Sequence, residues 1–443
     1  MSKNLPDSDG SIIKKSIGAR AIVLHPVFRE NSGGRSPEAC LEEAMGLALA
    51  IDLDIAQGLL VSTPNPKPGT LFGSGKIEEV QAIIDAEDVK LAVVDTQLTP
   101  VQQRNLEKTW NVKVIDRTAL ILEIFGARAR TNEGKLQVEL AALNYQKGRL
   151  VRSWTHLERQ RGGSGSMSGP GESQIETDRR IIRNEITKIQ SNLEKVVRTR
   201  SLHRKKRHDA PYPLVALVGY TNAGKSTLFN RLTSAETLAE DALFATLDPT
   251  IRSLILPNGM QIMMSDTVGF ISNLPTQLVA AFRATLEEVL DADLILHVRD
   301  ASHPDNLAQK NDVETVLRAL FKTEELPTII EVMNKIDLLA PEQRAEYAPA
   351  FNSKNNVSIS AITGAGIEEL QQAIVEKLNE QLRQPFYYKL DCNDGKALAW
   401  LYAHGDVKAL EEIEGFYRIN ALLSAADNAR FCKLFLKELP VEE

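Results

Sequence analysis

Apolar positions along the chain fall into successive regimes. In the first 127 residues, short β-branched runs at 20–24, 59–62, 90–95 and 112–116 alternate with helix-period stretches at 36–51, 76–85 and 100–109. Runs of strand period separated by helices predict a parallel sheet with crossover helices. Ser36 followed by Pro37 supplies a capping hydroxyl and a first-turn proline for the first helix. From Leu136 the period changes. Leu136, Leu140, Leu143, Leu150, Trp154 and Leu157 form one heptad-like seam, and Ile175, Ile182, Ile186, Ile189, Leu193 and Val196 form a second. The Gly/Ser-rich stretch 161–171 between them cannot stay helical, so the two helices are expected to fold back as an antiparallel hairpin. A strand-period run at 214–218, followed by strands at 260–264, 294–298, 329–333 and 357–359, predicts a doubly wound sheet. The last sixty residues predict strands at 386–392 and 415–419 and helices at 396–404 and 424–436, a small α+β domain.

The expected organisation is therefore a flexible N-terminus over 1–19, an N-terminal parallel α/β domain over 20–127, and an antiparallel helical hairpin over 128–200. A basic linker at 201–212, a central doubly wound α/β domain at 213–380 and a C-terminal α+β domain at 385–443 complete it. Charge sharpens this picture. The net charge of −7 hides a segment, 128–207, with 19 basic and 8 acidic residues, whereas 1–127 carries −4 and 211–443 carries −13. A basic hairpin between acidic flanks points to a polyanionic partner, because lysine and arginine release counterions condensed on phosphates. The alternative is a solvated, salt-laced helix pair. Hydrophobic residues at 43% and charged residues at 25% are ordinary soluble usage. No run reaches the 18 or so apolar residues of a spanning helix, and the polar start lacks a signal sequence. A cytoplasmic monomer is expected, with peripheral membrane association left open. Cys40, Cys392 and Cys432 are too scattered for a disulfide framework or a metal site.

The strand at 214–218 runs directly into Gly219-Tyr220-Thr221-Asn222-Ala223-Gly224-Lys225-Ser226, and a helix follows. Strand, GxxxxGK[ST] and helix in that order make a P-loop, whose amide N–H groups and helix N-terminus hold a β-phosphate. Lys225 is placed on the β- and γ-phosphates and the Ser226 hydroxyl on magnesium. Asp266-Thr267-Val268-Gly269 follows a strand about forty residues later and supplies a metal-side carboxylate and a γ-phosphate-sensing glycine. Asn334-Lys335-Ile336-Asp337 ends another strand. The Asp337 carboxylate can accept both the N1–H and the 2-amino proton of guanine, and adenine offers neither. Ser360-Ala361, with Gly364 and Gly366, is expected to contact the base edge. Four such motifs in order specify a P-loop GTPase domain binding GTP and GDP.

With the upstream 161–180 stretch, and Phe244-Ala245-Thr246-Leu247-Asp248-Pro249-Thr250, these motifs resemble those of the HflX family of ribosome-associated GTPases, over roughly residues 20–380. By that resemblance Phe244 to Asp248 is switch I, and Thr246 joins Ser226 as a magnesium ligand. The sequence by itself leaves Thr246 and Thr250 both open. The resemblance implies Lys225, Thr246 and Gly269 as the catalytic set. It also implies docking on the 50S ribosomal subunit and its rRNA, and splitting of stalled or stress-idled ribosomes.

Phe270 occupies the place where many GTPases carry a water-orienting glutamine, so slow hydrolysis that depends on a partner is expected. Asn222 matches the asparagine of potassium-responsive GTPases, which makes K+ a candidate second cation beside Mg2+; the alternative is an asparagine that only closes the loop. A second glycine-rich stretch at 68–76 lacks P-loop spacing and reads as a structural loop, with a second nucleotide site as the alternative. Two other functions fit the same motifs: a GTPase chaperone of ribosome assembly or of an RNA-modifying enzyme, and a nucleotide-gated protein-binding adaptor.

Overall fold

A computed structural model describes residues 18–29, 35–160, 170–208, 212–233, 243–244, 250–272, 288–321, 328–344, 355–413 and 415–435. Its contacts divide the chain into two compact units, residues 1–254 with 261–367, and residues 255–260 with 368–443.

The first unit opens with a parallel sheet of β1 (Arg20–Val27), β2 (Asp54–Ser62), β3 (Leu91–Val94) and β4 (Lys113–Asp116), in the order β2-β1-β3-β4. Its crossovers are α1 (Pro37–Leu49), α2 (Ser74–Ala86) and α3 (Pro100–Trp110). The Ser36 hydroxyl accepts from the Ala39 N–H, and Thr99 with Gln102 forms a reciprocal capping box, so the expected helix starts are in place. A helix absent from the sequence reading, α4 (Arg117–Arg128), follows β4 without a loop. Asp116 explains this, since it ends the strand and accepts from the Ala119 N–H as the cap of the next helix.

The hairpin is α5 (Asn132–Gln160) and α6 (Pro170–His208). Because α6 runs to His208, the 201–208 stretch expected as a basic linker continues the helix instead. The Gly/Ser tip at 161–169 lies outside the described residues. Asp116 also anchors α5: its fully buried carboxylate accepts from the Tyr145 hydroxyl at 2.7 Å and from Arg149 at 2.6 Å. A buried carboxylate needs this saturation, because unpaired charge in the interior is costly.

The second sheet has the order β10-β9-β8-β5-β7-β6. It comprises β5 (Leu214–Gly219), β6 (Thr250–Ile255), β7 (Gln261–Asp266), β8 (Leu294–Asp300), β9 (Ile329–Asn334) and β10 (Asn356–Ser358). Neighbours from β10 through β7 are parallel, and β8 is buried along its whole length. Strand order reverses at β5, which puts its C-terminal end at the switch point where doubly wound sheets bind ligands. One continuous apolar cluster joins this sheet to the N-terminal domain, with Phe125, Ala141 and Tyr145 in the same core as Val218, Phe244 and Phe270. Phe125 meets Phe244 edge-on, with ring centroids 4.7 Å apart.

In the second unit an antiparallel sheet, β11 (Arg383–Asp391), β13 (Phe416–Ser424) and β12 (Asp406–Ile413), is ordered β11-β13-β12. Tyr388, Leu390, Ile419, Ala421 and Leu423 form a core with Ala397 and Leu401 of helix Gly395–His404 and Phe431 of helix Ala425–Phe435. The α+β expectation holds in class, but β12 was not foreseen. Its sequence, DVKALEEI, is an exposed edge without the apolar alternation that marks a half-buried strand.

Candidate functional site

The loop 219–226 connects β5 to α7 (Lys225–Thr233). Two of its glycines are required by geometry. Gly224 has φ +88°, and a Cβ there would lie 2.2 Å from the Asn334 amide nitrogen; at Gly219 a Cβ would lie 2.1 Å from the Val298 carbonyl oxygen. Asn222 also takes the left-handed region, at φ 58°, which asparagine tolerates better than most side chains. Lys225 is buried and donates to the Tyr220 carbonyl at 2.8 Å. Burial pushes its ammonium down to about 8, opposed by the nearby Asp266 carboxylate. A cation held in this way is poised for a phosphate, which would restore what desolvation removes.

Asp266 ends β7 beside α7, and the Ser226 hydroxyl donates to its carboxylate at 2.7 Å. The chain after Asp266 runs along the P-loop. Thr221 N–H donates to the Phe270 carbonyl at 2.7 Å, and Phe270 N–H donates to the Gly219 carbonyl at 3.0 Å. This pairing draws Gly269 so close that a Cβ there would meet the Thr221 Cα at 2.9 Å and the Lys225 Nζ at 3.0 Å. The Phe270 ring is buried in the shared core, and the Thr221 hydroxyl is buried with no hydrogen-bond partner among the described residues.

Asn334 ends β9 and is buried between two loops. Its amide donates to the Ala223 carbonyl at 2.9 Å, and its oxygen accepts from the Ala361 N–H at 2.9 Å. Lys335 has φ 65° and pairs with Asp300 at 2.8 Å. Asp337 lies in the 3-10 turn Ile336–Leu338, where Arg344 donates to its main-chain carbonyl. The 360–366 loop is closed by Ser360 N–H to Ala365, Gly364 N–H to Ser360, and Thr363 N–H to the Ser360 hydroxyl. Gly366, at φ +74°, would put a Cβ 2.1 Å from the Ser358 carbonyl. The structure thus brings Gly219 through Ser226, Asp266 through Gly269, Asn334, Ser360 and Ala361 to one end of the sheet. Phe244 is buried with φ 57°, and its ring packs against Phe125 of the N-terminal domain. Ala245, Thr246, Leu247 and Asp248 lie outside the described residues, so the choice between Thr246 and Thr250 stays with the sequence expectation.

Sequence reasoning missed residues that support this site. Arg231 of α7 donates to the Ala361 carbonyl at 2.6 Å and to that of Ile362, holding the 360–366 loop. Arg35, Glu43 and Arg117 of the N-terminal domain reach Tyr220 and Ser272. No local spacing announces such pairs, which are separated by up to 229 positions. The 68–76 loop is held by its own fold: Gln102 donates to the Lys67 carbonyl, Asn105 donates to that of Gly69, and Phe72 is buried in the sheet core.

Family models match most of this architecture. Residues 38–126 match a model described as GTP-binding GTPase N-terminal, 128–207 one described as GTP-binding GTPase Middle Region, and 214–335 one described as 50S ribosome-binding GTPase. The chain is 50% identical to GTPase HflX of Magnetococcus marinus, over 88% of this chain and 90% of that protein. It is 43% identical to GTPase HflX of Escherichia coli, over 94% of this chain and 96% of that protein. More distantly, it is 34% identical to Putative GTP-binding protein 6 of Xenopus laevis, over 94% of this chain and 80% of that protein. With its P-loop, its guanine-motif loop and its helical hairpin all matched over nearly its full length, the chain belongs to the HflX family of GTPases.

Proposed function

We propose that this GTPase uses its nucleotide state to control docking on the large ribosomal subunit, and that the docked, GTP-bound form separates ribosomal subunits. One observation carries the reading. A long basic helical pair is fastened through Tyr145 and Arg149 to Asp116, in a domain whose apolar core is continuous with that of the P-loop sheet. Nucleotide-dependent changes at the P-loop therefore have a packed path to the hairpin. The 19 basic against 8 acidic residues at 128–207 suit rRNA as the surface engaged.

At the nucleotide site, the P-loop amides cradle the β-phosphate and Lys225 neutralises charge on the β- and γ-oxygens. Gly269 senses the γ-phosphate through its N–H, and Asp337 reads guanine. The hydroxyl of Ser226 and the carboxylate of Asp266, 2.7 Å apart, are hard oxygen donors that fit Mg2+, with Thr246 as a further ligand. When bound, the ion would neutralise charge building on the phosphate oxygens. Asn222 is the position for K+. Phe270 cannot hydrogen-bond a water, so the subunit completes the hydrolytic constellation. No helix among the described residues is long and apolar enough to cross a membrane.

Pelleting with 30S, 50S and 70S particles, with GDP or a non-hydrolysable GTP analogue, tests docking. Light scattering of vacant 70S particles tests splitting. Binding to 50S with the analogue, steeply weakened by salt, and a fall in scattering with GTP are expected. Equal pelleting with both nucleotides, or binding to 30S alone, overturns the reading. Turnover should rise about tenfold or more with 50S, and equal rates in potassium and sodium would return Asn222 to a loop-closing role.

A further inference from the structure

A polar chain runs from the N-terminal domain into the P-loop and the segment after Asp266. Glu43 of α1 stands at its centre. One of its carboxylate oxygens accepts from the Tyr220 hydroxyl, inside the P-loop. The other accepts from the Arg117 guanidinium and, at 3.1 Å, from the Ser272 hydroxyl, three residues beyond Gly269. The remaining contacts close the circuit. Ser272 N–H donates to the Tyr220 hydroxyl at 2.8 Å, and Arg117 donates to the Ser272 hydroxyl at 3.0 Å and to its carbonyl at 3.2 Å. Arg35 donates to the Tyr220 hydroxyl at 3.0 Å and pairs with Asp312 of the GTPase domain. Arg117 is held in turn by Asp95, which pairs with His25. Glu43, Tyr220 and Arg117 are largely shielded from water, where hydrogen bonds to charged groups are at their strongest.

The network matters because of where it holds the chain. With Ser272 fixed, Gly269 lies against Thr221 and the Lys225 ammonium, and that ammonium points back to the Tyr220 carbonyl. A γ-phosphate must come between Lys225 and the Gly269 N–H, so the 269–272 segment has to recede and Lys225 has to swing outward. GDP, which lacks that phosphate, draws Lys225 onto its β-phosphate but leaves the 269–272 segment where it is. Each hydrogen bond on Ser272 therefore resists GTP and leaves GDP untouched.

We propose that Glu43 is a positioning residue for the GTPase reaction: through Tyr220 and Ser272 it latches the γ-phosphate-sensing segment to the N-terminal domain and so sets the preference between GTP and GDP. The inference rests on reading 219–226 and 266–269 as the GTP site. Whatever loosens the N-terminal domain's hold on Ser272 releases the segment for GTP, and GTP binding strains the latch by the same free energy.

The test measures dissociation constants for GDP and for a non-hydrolysable GTP analogue on the full chain. Wild type is compared with Glu43→Gln, Tyr220→Phe, which keeps the ring and removes the hydroxyl, and the double variant; circular dichroism checks folding. Each single variant is expected to shift the GTP-to-GDP affinity ratio about fivefold toward GTP, and Glu43→Gln, which lies outside the nucleotide loops, should leave GDP affinity nearly unchanged. The double variant should match the singles, because all break one latch. An unchanged ratio, equal loss of both nucleotides, or fully additive shifts overturns the latch. A wild-type chain that binds neither nucleotide overturns instead the reading of the site.

Discussion

Asn334 donates its side-chain amide to the main-chain carbonyl of Ala223 at 2.9 Å, tying the end of β9 directly to the P-loop. Its other terminus accepts from Ala361, so one buried carboxamide sets the distance between the phosphate loop and the loop at 360–366. Asn334→Ala leaves a buried carbonyl and a buried N–H without these partners. Each costs roughly 1 to 3 kcal/mol, so the variant should melt several degrees lower and bind GDP at least tenfold more weakly. Thermal melts with and without GDP decide this, and wild-type values in both would show the bridge to be idle.

Asp337→Asn should act on selectivity more than on stability. The contact from Arg344 goes to the Asp337 main chain, so neutralising the side chain breaks no support seen in the fold. A charged hydrogen bond to guanine contributes roughly 1.5 to 3 kcal/mol, and GTP affinity should fall accordingly while xanthine nucleotides gain. Competition titrations with GTP, XTP and ATP measure the exchange. Unchanged GTP affinity removes Asp337 from the site.

Burial holds the Lys225 ammonium at about 8 without a ligand, and a bound phosphate raises it again. Binding near pH 8 to 9 should therefore take up a proton, and GDP affinity should decline as pH rises through that range. Near pH 6.5 the lysine is already charged in the free protein, so uptake there should be small. Calorimetry in two buffers of different ionisation enthalpy reads the proton directly. No uptake at pH 8.5 would show that the ligand leaves Lys225 unperturbed.

The motifs were legible because each needs particular residues at a fixed local spacing, and so were the strands whose burial produces β-branched runs, such as Leu294–Asp300. What stayed hidden lacked a local signature. β12 is an exposed edge, α4 begins at the residue that ends its strand, and the basic stretch before Pro213 continues α6. The Glu43 network was hidden for a deeper reason. A glutamate on a helix and a tyrosine in a loop look solvated and ordinary until the fold closes 177 positions between them. The shared core around Phe125 and Phe244 is likewise invisible to any window of sequence.

Gly269→Ala separates hydrolysis from nucleotide binding. Gly224, by contrast, needs a left-handed backbone and touches Asn334, so alanine there should abolish binding altogether. At Gly269 the obstacle is contact alone, with the added methyl 2.9 Å from the Thr221 Cα and 3.0 Å from the Lys225 Nζ. The lysine tip can turn away, but the Thr221 main chain cannot, so the segment after Asp266 must shift off the P-loop. The β-phosphate cradle is made of P-loop amides and stays in place, which keeps GDP affinity within a few fold. On the proposed reading the γ-phosphate is met by the Gly269 N–H, which is displaced, so turnover should fall about tenfold or more, on the order of 1.4 kcal/mol in the barrier. Single-turnover hydrolysis, with and without 50S subunits, gives the rate, and a titration with fluorescent GDP gives the affinity. A variant that loses GDP as completely as Gly224→Ala would show that this glycine shapes the whole cradle and not the γ-phosphate contact.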